Sequence, residues 1–325
     1  MKYRNVGKSG LKISEIALGS WMTDLRDSAA RELAEAVLKQ AFDNGVNFFD
    51  CADGYNDGSA EIFLGSVLKD YTRDSFVVSS KVFFPRGRDV NQRGLSRKHI
   101  FESIDRSLKN MQMEYLDLYF CHRFDITTPM EETLRALSDL VTQGKILYYG
   151  VSEEWGAARL AEAQGIIEKY GLHPMTVVQP QYHMLDRYVE HEILEVCEKY
   201  GMGVTPFSPL AQGLLTGKYR KGQPYPAGSR ATHQEDRQIN NLLLEENLDK
   251  VEKLSEIAAE LGVNMPVLAL AWILRKKVVS SVIIGATKPE QLVNNIAASG
   301  FEIPADALDE IEKILDFQKY RRHVG

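Results

Sequence analysis

The chain has 325 residues, of which 44% are hydrophobic, 26% charged and 9% aromatic, the balance of an ordinary globular enzyme. That composition excludes disordered, collagen-like and disulfide-scaffold classes, and a net charge of −6 supplies no basic field for nucleic acid or anionic lipid. At roughly 150 residues per domain, the length alone allows either two domains or one large barrel.

In chain order, short apolar runs alternate with longer amphipathic segments. Gly7-Lys8-Ser9-Gly10 reads as a hairpin turn, Ile13–Gly19 as a strand, and Ala29–Asn44 carries apolar residues at helical spacing. Val46–Asp50 is a strand and Ser59–Lys69 a helix. Phe76–Val82 pairs with a helix from Ser96 to Met111, and Tyr115–Cys121 with Met130–Thr142. Ile146–Val151 precedes a helix at Ala157–Tyr170, and Thr176–Gln179 precedes one at Tyr188–Tyr200. Gly203–Phe207 begins a seventh unit whose helical part follows Leu243. Ser281–Ile284 with Pro289–Ala298 is the eighth, and Ala305–Leu315 is an extra helix. Eight βα units predict a (β/α)8 TIM barrel with an N-terminal β-hairpin, a long loop after strand seven and an extra C-terminal helix.

Helix punctuation agrees. Glycine follows the helical stretch at Asn44-Gly45, Tyr170-Gly171, Tyr200-Gly201 and Leu261-Gly262, and Ser96, Pro129 and Pro289 stand where helices should begin. No linker or low-complexity tract divides the chain, so residues 1–325 read as a single barrel domain. A basic barrel takes about 250 residues, and the surplus goes to the hairpin, the loop and the last helix. The irregular stretch from Ser208 to about Asn240 has the length of a functional loop.

The first residues lack the apolar core of a signal peptide, and the apolar run near Met265–Leu274 is about half of the ~20 residues a membrane span needs. Cys51, Cys121 and Cys197 are odd in number and form no Cys-x-x-Cys. Reduced thiols in a cytoplasmic protein are therefore expected, with no metal site. The basic cluster Lys319-Tyr320-Arg321-Arg322-His323 reads as a solvated tail.

Barrel chemistry collects at the C-terminal strand ends. Those positions hold Ser20-Trp21, Asp50, Lys81, His122, Ser152, Gln179, Ser208 and Gly285, with Tyr55 on the loop after Asp50. A polar group following a buried apolar run needs a partner or a ligand. A free tyrosine has a pKa near ~10, so Tyr55 needs a cation such as Lys81 to stabilise its phenolate. Asp50 can keep that ammonium charged, and His122 can offer a ring N–H to a substrate oxygen. Together the four suit proton donation to a carbonyl oxygen while its carbon accepts hydride. A barrel lysine could instead form a Schiff base, but an Asp50 partner would hold its ammonium protonated. No Gly-x-Gly-x-x-Gly follows the first strand, which disfavours a Rossmann cradle. Phosphate is expected instead near the last two strands, at Ser208-Pro209-Leu210-Ala211-Gln212-Gly213 and Gly285-Ala286-Thr287-Lys288-Pro289, with Lys218 and Arg230 between them and Phe207 available to stack on a flat ring.

These residues resemble the aldo-keto reductase superfamily over nearly the whole chain. Phe49-Asp50-Cys51-Ala52-Asp53-Gly54-Tyr55 resembles its Asp-Thr-Ala-x-x-Tyr signature, Ser79-Ser80-Lys81 its lysine strand and Cys121-His122 its histidine strand. Arg93-Gly94-Leu95-Ser96-Arg97-Lys98-His99-Ile100, Thr128-Pro129-Met130-Glu131-Glu132-Thr133, Gln181-Tyr182-His183-Met184 and Ser208-Pro209-Leu210-Ala211 are similar to the potassium-channel β-subunit branch. The resemblance implies NADPH-dependent reduction of aldehydes or ketones, with Tyr55 as proton donor, Lys81 and Asp50 tuning it and His122 orienting the carbonyl. It implies Ser20, Trp21, Asp50, Ser152 and Gln179 around the nicotinamide end. Phe207, Ser208, Pro209, Leu210, Ala211, Gly213 and Lys218 would follow along the pyrophosphate. Arg230, Gly285, Thr287, Gln291, Asn294 and Asn295 would lie around the adenosine. The branch carries asparagine at His122, arginine at Glu153 and an acidic residue at Asn294. The resemblance leans towards a homotetramer and leaves a second reading, an NADPH-binding regulatory subunit docked on a membrane protein.

Overall fold

A computed structural model describes residues 1–21, 25, 27–232 and 237–320. The first fourteen form an antiparallel hairpin of β1 (Tyr3–Asn5) and β2 (Lys12–Ser14), with Tyr3 opposite Ser14. Its turn needs glycine at position 7: φ is +56°, and a Cβ would lie 2.2 Å from the Gly201 carbonyl oxygen. The expected strand from Ile13 to Gly19 is divided, and only Ile16–Gly19 (β3) enters the barrel. The divider is Glu15. It is buried, paired with Arg4 at 2.7 Å, and accepts hydrogen bonds from Ser299 Oγ and Gly300 N, so the chain turns there instead of running straight.

The other barrel strands are β4 (Phe48–Asp50), β5 (Val77–Val82), β6 (Leu116–Cys121), β7 (Ile146–Val151), β8 (Met175–Val178), β9 (Gly203–Val204) and β10 (Val282–Ile284). They form one parallel sheet in the order β10-β3-β4-β5-β6-β7-β8-β9. Its two ends meet: Val204 N donates to Val278 O, Ser280 N to Val204 O and Ile283 N to Pro206 O, at 2.8–2.9 Å. The result is the expected (β/α)8 barrel. Val6 and Ile13 from the hairpin pack with Ala17, Phe48, Val77, Leu118, Phe120, Val177 and Ile283 in one apolar cluster. A larger cluster unites the remaining strand residues with the helices.

Around the sheet run α1 (Ser28–Asp43), α2 (Ser59–Leu68), α3 (Arg97–Met111), α4 (Met130–Thr142), α5 (Ala157–Tyr170), α6 (Ile193–Tyr200), α7 (Arg237–Asn240), α8 (Glu245–Glu260), α9 (Met265–Leu274), α10 (Pro289–Ile296) and α11 (Ala305–Leu315). Asp27, Ser96 and Asn264 cap α1, α3 and α9 with side-chain oxygens. Gly171 and Gly201 end α5 and α6 in the left-handed conformation. The expected helix Tyr188–Tyr200 is shorter, because Tyr188–Glu190 is a 3-10 turn held by the Arg187–Glu190 ion pair at 2.9 Å. The long segment after β9 contains 3-10 turns at Ala211–Thr216 and Arg230–Thr232 and then α7; residues 233–236 lie outside the described set. So do Arg321, Arg322 and His323 of the basic cluster. Among the described residues no single helix is long and apolar enough to cross a membrane.

Candidate active site

Alternation along a strand decides which side chains share a face. On β5, Ser79 and Lys81 are two residues apart, and both reach Asp50 at the end of the neighbouring β4. Lys81 Nζ lies 2.6 Å from Asp50 Oδ2 and donates to the Cys51 carbonyl at 2.7 Å. Ser79 Oγ donates to Asp50 Oδ1 at 2.7 Å, and Gln179 Nε2, from the end of β8, donates to the same oxygen at 3.0 Å. Ser20 donates to the Asp50 carbonyl through both N (2.9 Å) and Oγ (3.0 Å). Ser152 Oγ in turn holds the Gln179 carbonyl at 2.8 Å. Five strand ends are therefore tied into one network around a buried carboxylate.

Lys81 is fully buried. Burial pulls its pKa down, but the Asp50 carboxylate, the Tyr55 oxygen and the hydrogen bond to Asp50 more than offset it, so the ammonium sits above its ordinary value. A lysine held charged in this way is unsuited to attack a carbonyl, which disfavours Schiff-base chemistry. Its third neighbour is Tyr55: the hydroxyl is 3.4 Å from Nζ, and Nζ is 5.0 Å from the ring centroid.

Tyr55 opens a 3-10 turn in which Asn56 and Asp57 take left-handed φ values of 47° and 56°. Arg86 pairs with Asp57 at 3.2 Å and steadies that turn. The Tyr55 pKa is raised, not lowered as the sequence suggested. Burial outweighs the pull of Lys81, and Asp50 and Cys51 add to it, so the phenol is held in its acid form. His122 immediately follows β6. Its ring packs edge-to-face with Tyr55 (5.7 Å between centroids) and with Phe84 (4.9 Å). Burial first, then Lys81 and Arg123, push its pKa well below the ordinary histidine value, so the imidazole is neutral. Asp50, Tyr55, Lys81 and His122 thus converge.

The positions expected to hold a cofactor fall into two groups. Ser20, Ser152 and Gln179 are buried in the network just described, and Trp21 is exposed beside them with the Arg230 guanidinium 5.3 Å from its ring centroid. Phe207 bridges to Gln181 beyond β9, and Pro209 is buried behind it. From there the backbone curls through left-handed φ at Ser208, Ala211, Gln212 and Gly213, with Leu210 at its start and Lys218 exposed at its end. Gly285 and Thr287 are exposed past β10. Gln291 Oε1 accepts from Thr287 N and Oγ1 at 2.9 and 3.2 Å. Asn294 faces outward on α10 while Asn295 is buried.

Sequence reasoning gave Ser79 no role, although its i, i+2 spacing from Lys81 was the available signal. Asp53 was likewise passed over. Its carboxylate is buried, and neither oxygen has a hydrogen-bond partner among the described residues. Burial, then Glu61, push its pKa up to about 7 against the opposing pull of Arg86 and Arg106. Phe84 on the His122 ring, and Arg123, Phe124 and Trp155 beyond it, carried no readable signal, because their neighbours come from other strands.

A family model described as "Aldo/keto reductase family" matches residues 15–316. The chain belongs to the aldo/keto reductase family. It is 42% identical to a probable voltage-gated potassium channel subunit beta of Oryza sativa subsp. japonica, over 99% of this chain and 98% of that protein. A protein of the same description from Arabidopsis thaliana is 41% identical over the same shares. A putative voltage-gated potassium channel subunit beta of Schizosaccharomyces pombe is 40% identical over 98% and 96%. Aldo/keto reductases are oxidoreductases that use a nicotinamide cofactor, and the Asp50, Lys81, Tyr55 and His122 cluster stands where such barrels keep their chemistry.

Proposed function

We propose that the protein is an NADPH-dependent carbonyl reductase, converting aldehydes and ketones to alcohols with Tyr55 as the proton donor. The observation that carries this reading is the contact between the protonated Tyr55 hydroxyl and the charged Lys81 Nζ at 3.4 Å, with a neutral imidazole against the same phenol.

The chain fits a dinucleotide. Left-handed φ at Ser208 and then in succession at Ala211, Gln212 and Gly213 makes the kind of backbone concavity that cradles anions. Gly213 has φ +95°, and a Cβ there would come within 3.3 Å of Lys218 Nζ, so glycine leaves the lysine room beside the curl. Those residues would hold the pyrophosphate. Lys218 would lie along it and Arg230 would meet a 2′-phosphate, and these two cations are the basis for NADPH over NADH. Thr287, Gln291, Asn294 and Asn295, past Gly285, would border the adenosine. Ser20, Trp21, Ser152 and Gln179 would border the nicotinamide.

When bound, the cofactor supplies hydride to the carbonyl carbon. His122, being neutral, carries one ring N–H that can donate to the carbonyl oxygen and orient it. Tyr55 gives its hydroxyl proton to that oxygen, so that hydride and proton together make the alcohol. The phenolate left behind faces the Lys81 ammonium. Asp50, held by Ser79 and Gln179, keeps that ammonium charged at this moment.

The test is NADPH oxidation, followed by absorbance, across a panel of aldehydes and ketones, with NADH in parallel. Turnover lost in Tyr55→Phe while NADPH still binds supports the mechanism; full activity in that variant refutes it. A second reading rests on the relatives, whose names are those of channel subunits. In it the protein is a homotetrameric, cytoplasmic NADPH-binding subunit of a membrane protein, one barrel domain per chain, with little turnover. His122, where that branch carries asparagine, favours the catalytic reading. Affinity capture from detergent-solubilised membranes without a specific channel partner would count against the second.

A further inference from the structure

Beside the imidazole lies a charged pair to which the reaction assigns no task. Arg123 follows His122, and its carbonyl accepts a hydrogen bond from Trp155 Nε1 at 3.3 Å. Its guanidinium is 5.8 Å from the centroid of Phe84, the ring that packs on His122 at 4.9 Å. One aromatic wall therefore borders both the imidazole and the guanidinium. A lone guanidinium there would be a receptor for carboxylate, because its planar fork matches two carboxylate oxygens.

That receptor is already filled. Glu153, on the turn after β7, pairs with Arg123, and Glu154 brings a second carboxylate to 3.8 Å. The turn is fixed. Glu154 takes a left-handed φ of 70°, and its carbonyl accepts from Arg159, whose guanidinium stacks 3.8 Å from the Phe124 centroid. Arg123 and Glu153 are only 31% and 26% exposed, so water screens their attraction less than on an open surface.

We propose that the Arg123–Glu153 pair makes the site select uncharged carbonyl compounds over carboxylate-bearing ones. An anionic substrate must displace Glu153 from the guanidinium or lie against two glutamates. A neutral substrate meets neither demand. This rests on the carbonyl-reductase reading and specifies its substrate class.

The experiment compares para-carboxybenzaldehyde, an anion at neutral pH, with its methyl ester, a neutral molecule carrying the same aldehyde. The readout is the ratio of kcat/KM for acid to ester with NADPH in wild type, Glu153→Gln and Arg123→Gln. In Glu153→Gln the ratio rises by roughly tenfold, the scale of one hydrogen bond to a charged group. In Arg123→Gln it falls below wild type. In wild type and in Arg123→Gln it rises with ionic strength, as the glutamates are screened. A ratio that stays the same in both variants and across salt, with the ester turned over normally, overturns the inference and leaves the reductase reading standing. If neither aldehyde nor any other carbonyl is reduced, the reductase reading fails and this inference falls with it.

Discussion

Lys81 and Asp50, on adjacent strands, form an ion pair of 2.6 Å in which the ammonium is wholly buried and the carboxylate 4% exposed. Removing one partner leaves an uncompensated charge. Asp50→Asn and Lys81→Met should each destabilise the fold by about 3–5 kcal/mol, and the double variant by clearly less than their sum. Urea denaturation of the four proteins measures the coupling. Strict additivity would mean that the two groups act independently.

The raised Tyr55 pKa has a kinetic consequence. Because burial holds the phenol in its acid form, reductive turnover should show no loss to Tyr55 ionisation from neutrality up to the ordinary tyrosine pKa of ~10. A pH–rate profile at saturating NADPH tests this. A wild-type alkaline limb near neutrality that persists in Asp53→Asn would contradict it.

His122 is neutral across the physiological range, so kcat/KM should show no inflection at an ordinary histidine pKa. His122→Phe should retain NADPH affinity, measured by fluorescence titration, and lose roughly 10²-fold in kcat/KM, the scale of removing one donor to a developing oxyanion. Equal losses in affinity and turnover would assign the ring a structural role instead.

Asp53 predicts a stability effect with a definite sign. Its folded pKa, about 7, lies above the unfolded value, so the folded state holds the extra proton. That contribution is complete below the unfolded pKa near ~4 and is lost as pH rises through 7. Asp53→Asn mimics the protonated acid. Its unfolding free energy relative to wild type, measured by urea denaturation, should therefore climb between about pH 4 and 7 and level off above, with a ceiling on the order of 4 kcal/mol. A pH-independent difference would show that the carboxylate is ionised throughout.

The barrel was legible because its strands are apolar runs set between helices with clear caps, and the reacting cluster because polar residues ended those runs. Glu15 escaped notice because its partners, Arg4, Ser299 and Gly300, lie at opposite ends of the chain. The turns after β9 escaped because Ser208, Ala211 and Gln212 adopt left-handed φ without being glycine. Pairing Arg123 with Glu153 required knowing that β6 and β7 are neighbours. Nor did residue type alone reveal that burial would win over Lys81 in setting the Tyr55 pKa.

The join between β9 and β10 rests on a short strand, for β9 has only two residues. The N-terminal hairpin buckles it from one end. Arg4 Nη1 donates to Val279 O and Asn5 O accepts from Ser280 Oγ on one side, while Lys8 N donates to Gly201 O on the other. The loops proposed to grip the dinucleotide leave the opposite end of this same join. Hairpin and dinucleotide would thus brace one seam, and linkage would make the support mutual. A chain shortened before Glu15 would hold its cofactor less tightly, and bound cofactor would slow hydrogen exchange in the hairpin.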